Sequence, residues 1–134
     1  MTATTPLALD PVELRTALND DPEFSLQARY WNSTVRIGVD GRNWLVRIID
    51  GIVTDVDTAA TPFDAWDFQL SGTSEHWAQL LAPVPAAFFQ DYYAAMLYHG
   101  FAIEGDMQQI MAYYPAIRRS LDVIRALANK EVSA

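Results

Sequence analysis

The spacing of apolar residues changes twice along the chain, and each change marks a boundary between helices and strands. In residues 10–31, Leu14 and Leu18 recur four apart, and Phe24, Ala28 and Trp31 fall at i, i+4 and i+7. Both spacings place the apolar side chains on one face of a helix. Asp10 precedes Pro11 with Glu13 three positions on, and Asp21 precedes Pro22. Two short helices are therefore predicted, each with an aspartate cap and a proline in its first turn. Residues 1–9 carry no such pattern and read as a flexible arm, with residues 10–134 as one domain.

From residue 34 the period falls to two. Val35, Ile37 and Val39 alternate with Thr34, Arg36 and Gly38, and Trp44, Val46 and Ile48 with Leu45, Arg47 and Ile49. Asp40-Gly41 and Asp50-Gly51 separate these runs from each other and from GIVTDVD (51–57), and Asp-Gly is a strong hairpin signal. After a loop with Pro62, AWDFQLS (65–71) alternates Trp66, Phe68 and Leu70 with Asp67 and Gln69. The four runs predict an antiparallel meander with one buried face and one wet face.

Helical spacing then returns. Thr73 or Ser74 can cap EHWAQLL (75–81), and Pro83 and Pro85 separate it from a helix over 86–99, which Gly100 ends. FAIE (101–104) alternates as a short fifth strand, placing Glu104 on the outer face. Gly105 lets the chain turn, and Asp106 caps a last helix whose apolar stripe falls at 107, 110, 114, 117, 121, 124 and 128. Pro115 predicts a kink or a break within it. The resulting order, α-α-β-β-β-β-α-α-β-α, is an α+β domain: a five-stranded, mainly antiparallel sheet covered on one face by helices.

Composition narrows the function. Hydrophobic residues make up 51% of the 134, enough to build a core in a single domain. The net charge of −8 would be repelled by a phosphate backbone, so nucleic acid is not an expected partner. There is no cysteine, and His76 and His99 are the only histidines, so neither a metal centre nor a cofactor is expected. No apolar run approaches the ~18 residues of a membrane span, and MTATTPLALDPVELR lacks a secretory pattern, so a cytoplasmic location is the expectation.

The chain also resembles the sterol carrier protein 2 family, from about Val35 to Met111. Three pieces carry the likeness: the strand pair ending in IIDGIV, the passage DFQLSGTSEHWAQLL, and GFAIEGDM followed by an amphipathic helix. The resemblance implies a sheet and helices enclosing an apolar cavity for a fatty acyl chain, a sterol or a polyketide-like ligand, with lipid transport and no covalent chemistry. It departs from the family in the aromatic helix 86–99 and in the paired first helices, both at the cavity roof, so it implies no particular ligand. The expected cavity lining is Trp44, Val46, Ile48, Trp66, Phe68, Leu70, Trp77, Phe88, Phe89, Tyr92, Met96, Ile103, Met107, Ile110 and Met111. Methionine suits such a lining because it adapts to varied shapes.

Two other readings stay open. The predicted helix 86–99 is apolar nearly all round, with Phe88, Phe89, Tyr92, Tyr93, Met96, Leu97 and Tyr98, so one face can line a cavity while another forms a homodimer or docks on an enzyme. Alternatively the chain is a small enzyme, a cyclase, isomerase or hydrolase-associated protein acting on a hydrophobic substrate. Its weak acid/base candidates are Asp91, Tyr98 and His99.

Overall fold

The computed structural model describes residues 5–130. A 3-10 turn, Pro6–Ala8, precedes helices α1 (Pro11–Asp20) and α2 (Pro22–Ala28). Strands β1 (Ser33–Val39), β2 (Arg42–Ile49), β3 (Ile52–Asp57) and β4 (Phe68–Gly72) follow, then α3 (Ser74–Leu80) and α4 (Tyr92–His99). Strand β5 (Ala102–Gly105) leads into α5 (Met107–Ala112) and α6 (Tyr114–Asn129). Of the expected N-terminal arm, residues 1–4 lie outside the described residues. Thr5 and Pro6 are buried, and Leu7 and Leu9 pack against the core.

The caps fall where the sequence places them. Asp10 accepts from the Val12 N–H at 2.9 Å and Asp21 from the Phe24 N–H at 2.8 Å. Thr73 exchanges bonds with His76, backbone to side chain in both directions. Asp106 accepts from the Gln109 N–H at 3.2 Å. The two Asp-Gly pairs adopt positive φ at both residues (50° and 85°, 53° and 78°), the turn whose twist suits a two-residue hairpin.

The sheet order is β3-β2-β1-β4-β5. It is five-stranded and mainly antiparallel, but β4 does not continue the meander. It crosses to the far side of β1 and pairs with it in parallel, Val35 opposite Phe68 and Ile37 opposite Leu70. The four-run antiparallel meander expected from the sequence is thus corrected at β4, because alternation fixes which side chains face inward and says nothing of which strand lies alongside. Asp67 makes the crossing: its N–H donates to the Thr34 carbonyl at 2.8 Å, and its carboxylate accepts from the Thr34 N–H at 2.6 Å.

One sheet face is wet. Arg36 donates to Gln69 at 2.7 and 3.0 Å, and Gln69 donates to Glu104 at 2.8 Å, a row across three strands. Glu104 therefore lies on the outer face, as its place in the alternation predicts. The other face carries Val35, Ile37, Val46, Ile48, Phe68 and Leu70 into a core completed by Leu14, Leu18, Phe24, Trp31, Ile117, Leu121 and Ile124 from the helices.

One helical prediction changes, and another holds with its break shifted slightly. Residues 86–91 are not helical; α4 begins only at Tyr92, because Phe88 sits at φ +69° and turns the chain. Pro115 does not interrupt a helix but occupies the first turn of α6, where its missing N–H needs no partner. The expected break falls two residues earlier, at Tyr113.

Arg119 of α6 grips Asp21 with two bonds of 2.9 Å, joining the α1–α2 corner to the last helix. The Arg119 guanidinium holds the Asp21 carboxyl below the usual carboxylate range; the Phe24 N–H adds to this and burial opposes it. A depressed native pKa stabilises the fold above the unfolded value, about 3.9, and that contribution is lost as pH falls through the native value. Asp21→Asn keeps a good cap and removes the charge, so it should cost about 1 kcal/mol near pH 7. Urea titrations of both proteins from neutral pH downward should show the gap closing below about pH 4; a gap independent of pH would overturn this account.

Candidate functional site

Two spaces border α4 and α6. The first is a void of about 40 Å³ inside the core, walled by sheet residues Val35, Ile37, Val46, Ile48, Phe68 and Leu70, by Leu14, Leu18, Phe24 and Trp31, and by Tyr92, Ile117, Ser120 and Ile124. Every one of these is buried except the half-buried Ser120. A cavity holds a water once about 10–15 Å³ of such space is free, so the void has room for a few heavy atoms and not for a chain. Side chains fill most of the space that the sequence assigns to a ligand.

The second space is a groove of about 260 Å³ that opens to the surface. Asp91, Tyr93 and Met96 come from the start and side of α4, Ile103 from β5, Met107, Ile110 and Met111 from α5, and Tyr114 from α6. The chain has four methionines including Met1, so every methionine after the first lies in this one groove. Its volume is near the low end of small-molecule sites, about 300 Å³. The floor, Ile103 and Ile110, is buried, whereas Met107 and Met111 stand at 52% and 67% exposure on the rim.

One end of the groove is polar. The Tyr114 hydroxyl donates to the Asp91 carboxylate and accepts from the Tyr93 N–H at 3.1 Å. Burial, and then the bond to anionic Asp91, raise the Tyr114 pKa far above its ordinary value, so it stays a neutral donor. A ligand with an apolar body and one polar end meets both of its needs along this groove.

Of the fifteen expected lining residues, ten line the two spaces and five lie elsewhere. Val46, Ile48, Phe68, Leu70 and Tyr92 wall the void; Met96, Ile103, Met107, Ile110 and Met111 wall the groove. Trp44 is buried at a different surface dent beside Arg42 and Pro62, and Trp77 is core, its indole N–H donating to the Gly38 carbonyl at 2.9 Å. Phe89 is buried against His99, Phe88 is exposed and stacked on Tyr98, and Trp66 lies outside β4 with Arg36 4.3 Å above its ring.

The acid/base candidates are not assembled as a set. Asp91 is bonded to Tyr114, Tyr98 is 62% exposed on Phe88, and His99 bonds the Ala87 carbonyl at 3.0 Å. Among the described residues no group of His, Asp and Glu has the arrangement of a metal site. Tyr93 and Tyr114 were absent from the expected lining, although Tyr114 lies on the apolar stripe of the last helix. That stripe also contains Ile117 and Ile124 of the void.

Neither a known protein family nor a curated protein matches the sequence. Solved structures do match the fold. The crystal structure of sterol carrier protein 2 superposes with a TM-score of 0.67 at 14% identity, covering 93% of this chain and 98% of the other. The fold is that of sterol carrier protein 2. The ubiquinone synthesis protein UbiJ, in its SCP2 structure, is similar with a TM-score of 0.55 at 15% identity over 85% of this chain and 90% of that one. Within the sterol carrier fold, the groove lies where β5 meets the last two helices, and the aromatic segment 83–98 stands beside it. That segment exposes Val84, Phe88, Tyr93, Leu97 and Tyr98. No helix among the described residues is long and apolar enough to cross a membrane.

Proposed function

We propose that the protein binds and carries a hydrophobic small molecule bearing one polar end, with the apolar body in the methionine groove. The gathering of Met96, Met107 and Met111 in one groove is the observation that carries this reading. Unbranched thioether side chains reshape around different ligands, as a carrier of varied hydrophobes requires. Asp91, Tyr93 and Tyr114 supply the polar end. The fold supports it too: one structural neighbour is named a sterol carrier and the other a ubiquinone synthesis protein. Sterols and ubiquinone are both large apolar molecules with few polar atoms.

Solvent extraction and mass spectrometry of the purified protein should yield a bound hydrophobe. In solution, Nile red should bind and brighten, and the pair Met107→Glu with Met111→Glu should weaken it at least tenfold, about 1.4 kcal/mol. Both side chains are more than half exposed, so the melting temperature should change little. Unchanged Nile red affinity in the double variant would remove the groove from the site.

A further inference from the structure

Asp91 occupies the cap position of α4 and does not cap it. At Asp10, Asp21 and Asp106 the carboxylate accepts from a backbone N–H of its own helix, the ordinary role of an aspartate there. At α4 the side chain makes no such bond. The Tyr93 N–H, a donor it would otherwise take, goes to the Tyr114 hydroxyl at 3.1 Å, and that hydroxyl donates to Asp91 Oδ1. Tyr114 thus fills the cap, and the carboxylate is left at the end of the groove. Burial and the neighbouring Asp91 keep the Tyr114 proton on its oxygen, so the negative charge of the pair stays on Asp91.

No basic group answers that charge. Among the described residues the ion pairs are made by Arg47, Arg119, Arg125 and Lys130, none of them with Asp91. Asp91 Oδ2 accepts no hydrogen bond from these residues either. Asp91 is the one charged residue lining the groove. From Ile48 to Ile117, a stretch that contains the whole lining, the chain has no lysine or arginine.

We infer that the polar end of the ligand is a protonated amine, donating to Asp91 Oδ2 while its aliphatic body lies along the methionines. This rests on the carrier reading above and narrows the ligand to a cationic amphiphile. An ammonium carries only donors, and its bond to a carboxylate is about twice as strong as a neutral hydrogen bond. A fatty carboxylate would set a second anion beside Asp91 with no cation between them. An alcohol can donate to the same oxygen but brings no charge. The net charge of −8 also draws cations toward the protein and disfavours anions.

The test uses the full chain, Nile red displacement near neutral pH and three twelve-carbon competitors: dodecylamine, 1-dodecanol and dodecanoate. The wild type should bind the amine about fivefold tighter than the alcohol and roughly tenfold tighter than the carboxylate, the scale of one charge-assisted bond at a half-buried site. Asp91→Asn keeps an acceptor for the Tyr114 hydroxyl and removes the charge, so it should bring the amine down to the affinity of the alcohol. Glu75→Gln, an equal change in net charge on the exposed side of α3, should keep the preference. Alcohol or carboxylate binding as tightly as the amine in the wild type overturns the amine seat and leaves the carrier reading intact. So does an amine preference that survives Asp91→Asn, which would mark a general attraction of cations to an acidic protein. Failure of all three to displace Nile red overturns both.

Discussion

Trp77→Ala should bring the protein close to its folding threshold. Trp77 is fully buried at the junction of α3, α4 and the sheet, with Phe101 at 5.1 Å and Tyr92 at 5.9 Å in edge-to-face contact. Its indole N–H reaches 39 positions back in the chain to the Gly38 carbonyl of β1. Truncating a buried tryptophan to alanine costs about 3–5 kcal/mol, and the lost buried hydrogen bond adds about 1 kcal/mol. A domain of this size holds only about 5–15 kcal/mol in total. Urea unfolding followed by circular dichroism should show the midpoint moving most of the way to zero denaturant. Trp77→Phe keeps much of the ring contact and should retain more than half of the lost stability. A loss under about 2 kcal/mol for the alanine variant would show that the aromatic cluster rearranges to fill the space.

Gly105→Ala should be the second most damaging change, in a residue with no side chain at all. Gly105 stands at φ +123°, where only glycine is comfortable. A Cβ there would lie 2.6 Å from both the Asp67 carbonyl oxygen and the Phe68 Cα, neighbouring backbone that cannot move aside. That backbone is fixed because the Asp67 carbonyl accepts the Asp106 N–H at 2.9 Å and Phe68 pairs with Gly105 across the sheet. Strain and overpacking together should cost about 4 kcal/mol, which lowers the melting temperature by roughly 15 °C. Gly100 is the control: its φ is +76°, but nothing lies within 4 Å of an added Cβ. Gly100→Ala should therefore cost only about 1 kcal/mol. Equal losses at the two glycines would mean that backbone conformation alone, and not the close approach of β4, sets the effect. Gly105 also sits between Ile103 and Met107, so Gly105→Ala should disturb the groove floor and weaken Nile red binding as well.

The wet acids of the β5 region illustrate how much local chemistry determines. Glu104 and Asp106 are two apart with a glycine between them, and alternation alone sends Glu104 to the outer sheet face while the cap position occupies Asp106. Gln69 and the Gln109 N–H are their partners in the folded chain. The caps, the hairpins and the α+β order were legible for the same reason: each depends on residues within a few positions of one another. The helix over 86–91 was misread because its apolar residues satisfy a helical pattern while Phe88 takes a left-handed conformation that no pattern encodes.

By itself the sequence determined which side chains face inward, where the elements begin, and the α+β class, because alternation, helical spacing and capping are local. Only the tertiary structure decided that β4 pairs in parallel with β1, and that one expected cavity is two spaces. Which strand lies alongside another, and how much of an interior its side chains fill, depend on packing between residues far apart in the chain. Tyr92, Trp31 and the three methionines are 5 ordinary apolar positions in sequence. The crossing of β4, the turn at Phe88 and the break at Tyr113 bring them into a near-filled core with an open groove beside it.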